Sequence, residues 1–212
     1  MRVCSLLVLL LFATVAFAQS SLPDLIIDGA RLQNSIYLKT QTISRTSCAY
    51  AEGCVNGTGK RRLLKFDTAI ANIGPGDLVL GSPGSHPEWY EWSPCHGHYH
   101  LKSGTRYELL TSDLQQVVAG RKNAFCFMDI SRYSAGAGSS NGYNCSNQGI
   151  TAGWQDVYND TLDCQWIDVT GVAAGQYILR LTVNPDALLV ENNYSNNSVQ
   201  IPITISKGRK TN

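Results

Sequence analysis

Tyr177-Ile178-Leu179-Arg180-Leu181-Thr182-Val183 places Tyr177, Leu179, Leu181 and Val183 on alternate positions, with Ile178, Arg180 and Thr182 between them. A repeat of two is the repeat of an extended chain, and one apolar side against one mixed side marks a strand buried on one face. Turn signals bracket it: Ala174-Gly175 before, Asn184-Pro185-Asp186 after. Working outward, similar runs recur at Ser198 to Ile205, Tyr107-Glu108-Leu109-Leu110, Asp77-Leu78-Val79-Leu80, Leu63 to Ile70 and Ser35-Ile36-Tyr37-Leu38. Asn72-Ile73-Gly74-Pro75-Gly76 and Ser82-Pro83-Gly84 punctuate them. Short strands separated in this way, with little helical periodicity, predict a mainly β chain. The expected architecture is an antiparallel β-sandwich core with long irregular loops. The longest loop is Ser131 to Thr151, rich in Gly, Ser and Asn, with Cys145 inside it as a tether. A loop of that length in a compact domain is usually functional or disordered.

Residues 1–18 read as a secretory signal: Arg2, an apolar run, and Ala16-Phe17-Ala18 as the exit. The run is shorter than the roughly 20 residues a spanning helix needs. Nothing later is long and apolar enough to cross a membrane. Cleavage after Ala18 leaves residues 19–212 as one domain, with no internal repeat or linker dividing it. The whole chain carries 17 basic and 16 acidic residues, and losing Arg2 evens the balance. A neutral chain offers nucleic acid no electrostatic footprint. Removing Cys4 leaves Cys48, Cys54, Cys95, Cys126, Cys145 and Cys164, an even number that reads as three disulfides in an exported protein. Asn56, Asn144, Asn159, Asn193 and Asn196 each open a glycosylation sequon, which also fits export.

Three of the four histidines stand at alternate positions in Cys95-His96-Gly97-His98-Tyr99-His100. In an ideal strand the outer two would be about 13 Å apart, from a rise of ~3.3 Å per residue. One metal with bonds near 2 Å cannot span that. The segment must bend to bind an ion, and Gly97 is the natural place. Imidazole ligands suit copper, zinc, iron or nickel. His86, between Ser85 and Pro87, reads as a loop histidine.

Glu91-Trp92-Ser93-Pro94-Cys95-His96-Gly97-His98-Tyr99-His100 resembles the copper motif of the lysyl oxidase family. Three blocks follow in that family's order: Ala119-Gly120-Arg121-Lys122-Asn123-Ala124-Phe125-Cys126, then Asp156 to Asp168 with its Cys164-Gln165-Trp166-Ile167-Asp168 string, then Gly175 to Asn197. The resemblance covers residues 22–205. It implies copper on His96, His98 and His100, and a lysine tyrosylquinone cofactor built from Lys122 and Tyr158. It implies oxidation of peptidyl lysine, or of a small primary amine, to an aldehyde. Molecular oxygen would be consumed, and hydrogen peroxide and ammonia released.

It also implies the pairings Cys48–Cys95, Cys54–Cys164 and Cys126–Cys145, against a rival short-range scheme of Cys48–Cys54 with Cys95–Cys145. Some relatives carry a calcium site whose ligands fall here on Asp24, the Leu25 carbonyl, Glu191, Asn193, Asn196 and Asn197. Asn193 replaces an acid, which lowers the charge offered to a cation. This chain departs from the family pattern at Arg106, where a histidine is usual, so no base is assigned and Asp129, Asp156, Asp163 and Asp168 are the candidates. Arg132 and Trp154 stand where two further cysteines would pair. The competing function is a non-catalytic extracellular β-sandwich module that binds copper or zinc.

Overall fold

The computed structural model describes residues 21–120 and 126–207. The expected signal segment and Lys122 therefore lie outside the described residues. In chain order the elements are β1 (Leu25–Ile27), α1 (Gly29–Ser35), β2 (Tyr37–Ile43), α2 (Cys48–Ala51), β3 (Gly59–Lys65), β4 (Thr68–Asn72), β5 (Leu78–Gly81), β6 (Tyr90–Ser93), β7 (His98–Leu101) and β8 (Thr105–Leu110). There follow β9 (Gln116–Ala119), β10 (Ser131–Arg132), β11 (Gln148–Ile150), β12 (Trp154–Tyr158), β13 (Trp166–Asp168), β14 (Gly175–Val183) and β15 (Ser198–Ile205). Among the described residues no helix is long and apolar enough to cross a membrane.

The strands form antiparallel sheets in the orders β1-β4-β12-β10, β15-β14-β8-β9, β13-β3-β2, β11-β5 and β6-β7. The chain is thus mainly β and antiparallel, as its alternation predicts. Five small sheets share the work that a plain two-sheet sandwich would give to two. β14 buries Leu179, Leu181 and Val183 completely, while Ile178, Arg180 and Thr182 are part-exposed. β15 buries Ile201, Ile203 and Ile205 and turns Pro202 outward. Proline lacks an N–H for the ladder, and β15 is an edge strand, where that loss is tolerated. These side chains join Leu25, Ile70, Leu109, Phe127, Tyr158 and others in one large core.

Two local readings change. Leu63 to Ile70 is not one strand: Phe66-Asp67 separates β3 from β4, and Asp67 accepts from the Arg31 guanidinium at 3.1 Å. Residue 35 ends a helix instead of opening a strand. Asp28 caps α1 by accepting from the Arg31 amide at 3.0 Å. Two turns are too short for a helical period to show.

Three disulfides join Cys48 to Cys95, Cys54 to Cys164 and Cys126 to Cys145. The last tethers the 131–151 loop, most of which is irregular. Arg132 and Trp154, where the resemblance expects two further cysteines, are register partners between β10 and β12. The Arg132 guanidinium lies 5.7 Å from the centroid of the Trp154 ring.

Candidate functional site

The β6–β7 hairpin carries the histidines. Gly97 adopts φ +67, a left-handed conformation that glycine takes without steric cost, and the chain turns there. This turn brings the His96 ring back over the strand. The ring centroids of His96, His98 and His100 are 5.9, 5.4 and 5.0 Å apart. A triangle with those sides has its centre about 3.2 Å from each centroid, so a nitrogen of each ring could come to about 2 Å from a shared ion by rotating toward it. The donor set and its spacing therefore fit a metal held by three imidazoles. His100 is buried, and His96 and His98 are half-buried. His86 lies apart from the triad, stacked on Trp89 at 4.1 Å.

Sulfur also lies close by. A His98 ring nitrogen lies within 4.8 Å of the Cys126 and Cys145 sulfurs, and a Glu52 carboxylate oxygen within 4.8 Å of those of Cys54 and Cys164. Both sulfur pairs are disulfides, so they are not thiolate ligands. They mark where two staples press on the site.

Tyr158 sits on β12 and is buried among the core side chains. Its hydroxyl donates to the Cys126 carbonyl at 3.2 Å and to Asp156 Oδ2. Positions 156 and 158 share one face of β12, as alternate strand residues must. Cys126 thus meets both residues: its carbonyl accepts from Tyr158, and its sulfur lies within 4.8 Å of a His98 ring nitrogen. A second link comes from Gln148, which is fully buried. Its amide oxygen accepts from the Phe127 N–H at 3.1 Å and its NH₂ donates to the Tyr99 carbonyl at 3.3 Å. Gln148 thus clips the histidine hairpin to the 126–127 segment. Sequence reading missed it, because a lone glutamine in a polar loop carries no signal.

Of the four carboxyls considered as a base, Asp129 is occupied by Thr151 N at 2.8 Å and by the hydroxyls of Thr151 and Ser140, each at 2.6 Å. Asp168 pairs with Arg61 at 2.7 Å. Burial alone would raise its pKa, but hydrogen bonds from Thr170, Asn56 and Arg61 outweigh that and hold it below the usual value. Asp163 lies where the Lys65 amine feels its charge. Asp156 is different: burial pushes its carboxyl up to about 8, against the pull of the Tyr158 hydroxyl and the Met128 N–H. Burial, then the charge of Asp156, raises the Tyr158 phenol well above its ordinary value. Arg106, at the position where the family usually has a histidine, pairs with Asp186 at 2.6 Å on the surface.

The six oxygen ligands considered for calcium are only partly gathered. Asn196 Nδ2 donates to Asp24 Oδ1 at 2.8 Å, and Asn197 Nδ2 to Glu191 Oε1 at 2.7 Å. The amide oxygens of Asn196 and Asn197 are buried without a hydrogen-bond partner. Glu191 is taken up by the Leu25 N–H at 2.8 Å and by Asn184 Nδ2 at 2.6 Å. Asn193 turns its oxygen to its own turn, accepting from Ser195 N and Oγ at 3.0 and 2.7 Å.

A family profile described as "Lysyl oxidase" matches residues 23–211. Lysyl oxidase homolog 4 of Homo sapiens is 36% identical over 192 residues, covering 85% of this chain and 25% of the relative. The Bos taurus protein of the same name is 34% identical over 201 residues, covering 89% and 26%. Lysyl oxidase homolog 3B of Danio rerio is 33% identical over 201 residues, covering 89% and 24%. The chain spans about a quarter of the length of these curated relatives.

Proposed function

From the premise that this chain belongs to the lysyl oxidase family, we propose that it is a secreted copper-dependent amine oxidase, acting on peptidyl lysine or other primary amines with molecular oxygen. Aldehyde, hydrogen peroxide and ammonia are the products. His96, His98 and His100 hold the copper, and Lys122 and Tyr158 supply a lysine tyrosylquinone. The quinone would provide a two-electron acceptor that no ordinary side chain offers, and copper with oxygen would serve to make it from the tyrosine ring.

The observation that carries this reading is the grouping of three imidazole rings within 6 Å of one another, with Cys126 touching both His98 and the buried Tyr158 hydroxyl. Lys122 lies outside the described residues, and the nearest described positions on either side are anchored. Gly120 donates to the Tyr107 carbonyl at 2.8 Å, and an added Cβ there would stand 2.9 Å from the Tyr107 Cβ. Cys126 accepts the Tyr158 hydroxyl. Lys122 is two residues after the first anchor and four before the second.

Asp156 receives the phenol proton of Tyr158 when the ring is oxidised, and is the base nearest the reacting ring. Arg106 cannot serve, since a guanidinium stays protonated. Burial of Tyr158 keeps water from competing for the ring. Three disulfides and the family relationship support an oxidising, extracellular setting. Calcium is a further proposal: Asp24 and the partnerless oxygens of Asn196 and Asn197 fit a hard cation. Glu191 and Asn193 would have to give up their present partners to join them.

The test is a peptide map of the copper-loaded protein. A covalent peptide joining residues 122 and 158, with amine-dependent peroxide release, is the expected result. A folded, copper-bound protein with both residues unlinked and no peroxide would leave the metal-binding module instead.

A further inference from the structure

α2 is a single helical turn ending at Glu52, and nothing in the sequence singles that residue out. The structure gives both of its carboxylate oxygens a partner on the histidine hairpin. Oε1 accepts from Ser93 Oγ at 2.6 Å, and Oε2 faces His96 Nε2 at 3.3 Å. Ser93 Oγ also accepts from the His96 backbone N–H at 3.2 Å, which closes a ring of three residues. Both side chains are about one-fifth exposed, so the contact is mostly shielded.

The carboxylate is fixed from both sides along the chain. Four residues before it, Cys48 is bonded to Cys95, the residue preceding His96, and the Glu52 N–H donates to the Cys48 carbonyl at 2.8 Å. Two residues after it, Cys54 is bonded to Cys164. The two disulfides fix the backbone from which the side chain reaches the hairpin.

We propose that Glu52 belongs to the metal centre as the carboxylate that orients His96, fixing its proton on Nε2 and so presenting Nδ1 to the ion. This rests on copper binding at the three histidines. A histidine that ligates a metal commonly gives its other ring N–H to a carboxylate, which fixes ring orientation and raises ligand basicity. The geometry here supplies that partner for His96. Glu52 is a positioning residue, acting through His96.

The experiment compares wild type, E52Q and E52A by copper competition titration, electron paramagnetic resonance of the copper form and ¹⁵N NMR of the zinc form. Wild type should show three nitrogen ligands, with His96 bound through Nδ1. E52A should bind copper 10- to 100-fold more weakly, the usual loss when such a partner is removed. It should also show two well-ordered nitrogens instead of three. E52Q keeps one acceptor oxygen, which can still receive the His96 N–H while its NH₂ faces the Ser93 oxygen, so it should recover the three-nitrogen spectrum and part of the affinity. If E52A does not fold, E52Q decides by the same readouts.

Affinity within twofold of wild type and an unchanged spectrum in the folded variants would overturn the role of Glu52 while leaving the copper site standing. Weaker binding with all three nitrogens retained and His96 bound through Nε2 would make Glu52 a direct ligand, and would also overturn it. Wild-type protein that fails to bind copper at all would remove both readings.

Discussion

Burial and hydrogen bonding pull the Asp156 proton in opposite directions. The apolar surroundings favour the neutral acid, while the Tyr158 hydroxyl and the Met128 N–H favour the carboxylate. Asp129 adds like charge nearby, and the net result is a carboxyl pushed up to about 8. The sign for stability follows. Between about pH 4 and 8 the folded state holds a proton that the unfolded chain has released. The contribution is therefore full below pH 4 and is lost as pH rises through about 8. D156N keeps the shape without titrating. It should flatten stability between pH 5 and 9, where wild type loses on the order of a few kcal/mol, measured as urea midpoints across that range. The sign for chemistry is opposite, because an acceptor must be ionised. Quinone formation, followed by its visible absorbance after copper addition, should speed up as pH rises through about 8. It should slow roughly 100-fold or more in D156N. A formation rate indifferent to pH between 6 and 9 would rule Asp156 out.

The β10–β12 pair joins two positions where the family resemblance would put a disulfide, with other side chains in place of it. Arg132 and Trp154 face each other across the ladder, and directly opposed residues have Cα atoms about 4.5–5.5 Å apart, within the range a disulfide spans. The present stacked contact is worth about 0.5–1 kcal/mol. R132C/W154C should close a fourth disulfide spontaneously on oxidative folding and raise stability by about 2 kcal/mol net. Peptide mapping and denaturant midpoints read this, and two free thiols in a folded protein would contradict the register. The same scale shows what sequence can carry. β14 and β15 were legible because burial on one face imprints alternation within a few residues. The bend at Gly97 was legible because ligand bond lengths demand it. α1 was not, at seven residues, nor was the break at Phe66-Asp67 inside an apolar run. Glu52 and Gln148 act on partners 41–49 positions away, and no local pattern announces such a contact. The link from Tyr158 to His98 through Cys126 is a tertiary contact that spacing alone could not supply.

Among the described residues two hydrophobic clusters form, and the histidine hairpin has contacts from the side of each. The large core holds Tyr158 with β4, β8, β14 and β15. The smaller one gathers Ile43, Ala49, Cys54, Val55, Leu63, Cys164 and Trp166 beneath β2, β3 and α2. Glu52 reaches the histidine hairpin from the smaller core, whereas Tyr158, the Cys126 carbonyl and Gln148 approach it from the larger. The Cys54–Cys164 bond closes a separation of 110 residues, and a loop of that size restricts the unfolded chain by roughly 4–5 kcal/mol. C54A/C164A should therefore lower global stability by about 4 kcal/mol in guanidinium denaturation. Its second effect should be local. The amides of residues 44–65 should lose hydrogen-exchange protection first, and copper affinity should fall as Glu52 loses its anchor. β12 and β14 should stay protected, and Tyr158 should keep Asp156 as its partner. C126A/C145A strikes the other side: it should disturb the carbonyl that receives the Tyr158 hydroxyl, slowing quinone formation more than it weakens copper binding. Two deletions that impair metal affinity and quinone formation in the same proportion would mean that the cores respond as one unit, and that the metal and the tyrosine are not held by separate halves of the structure.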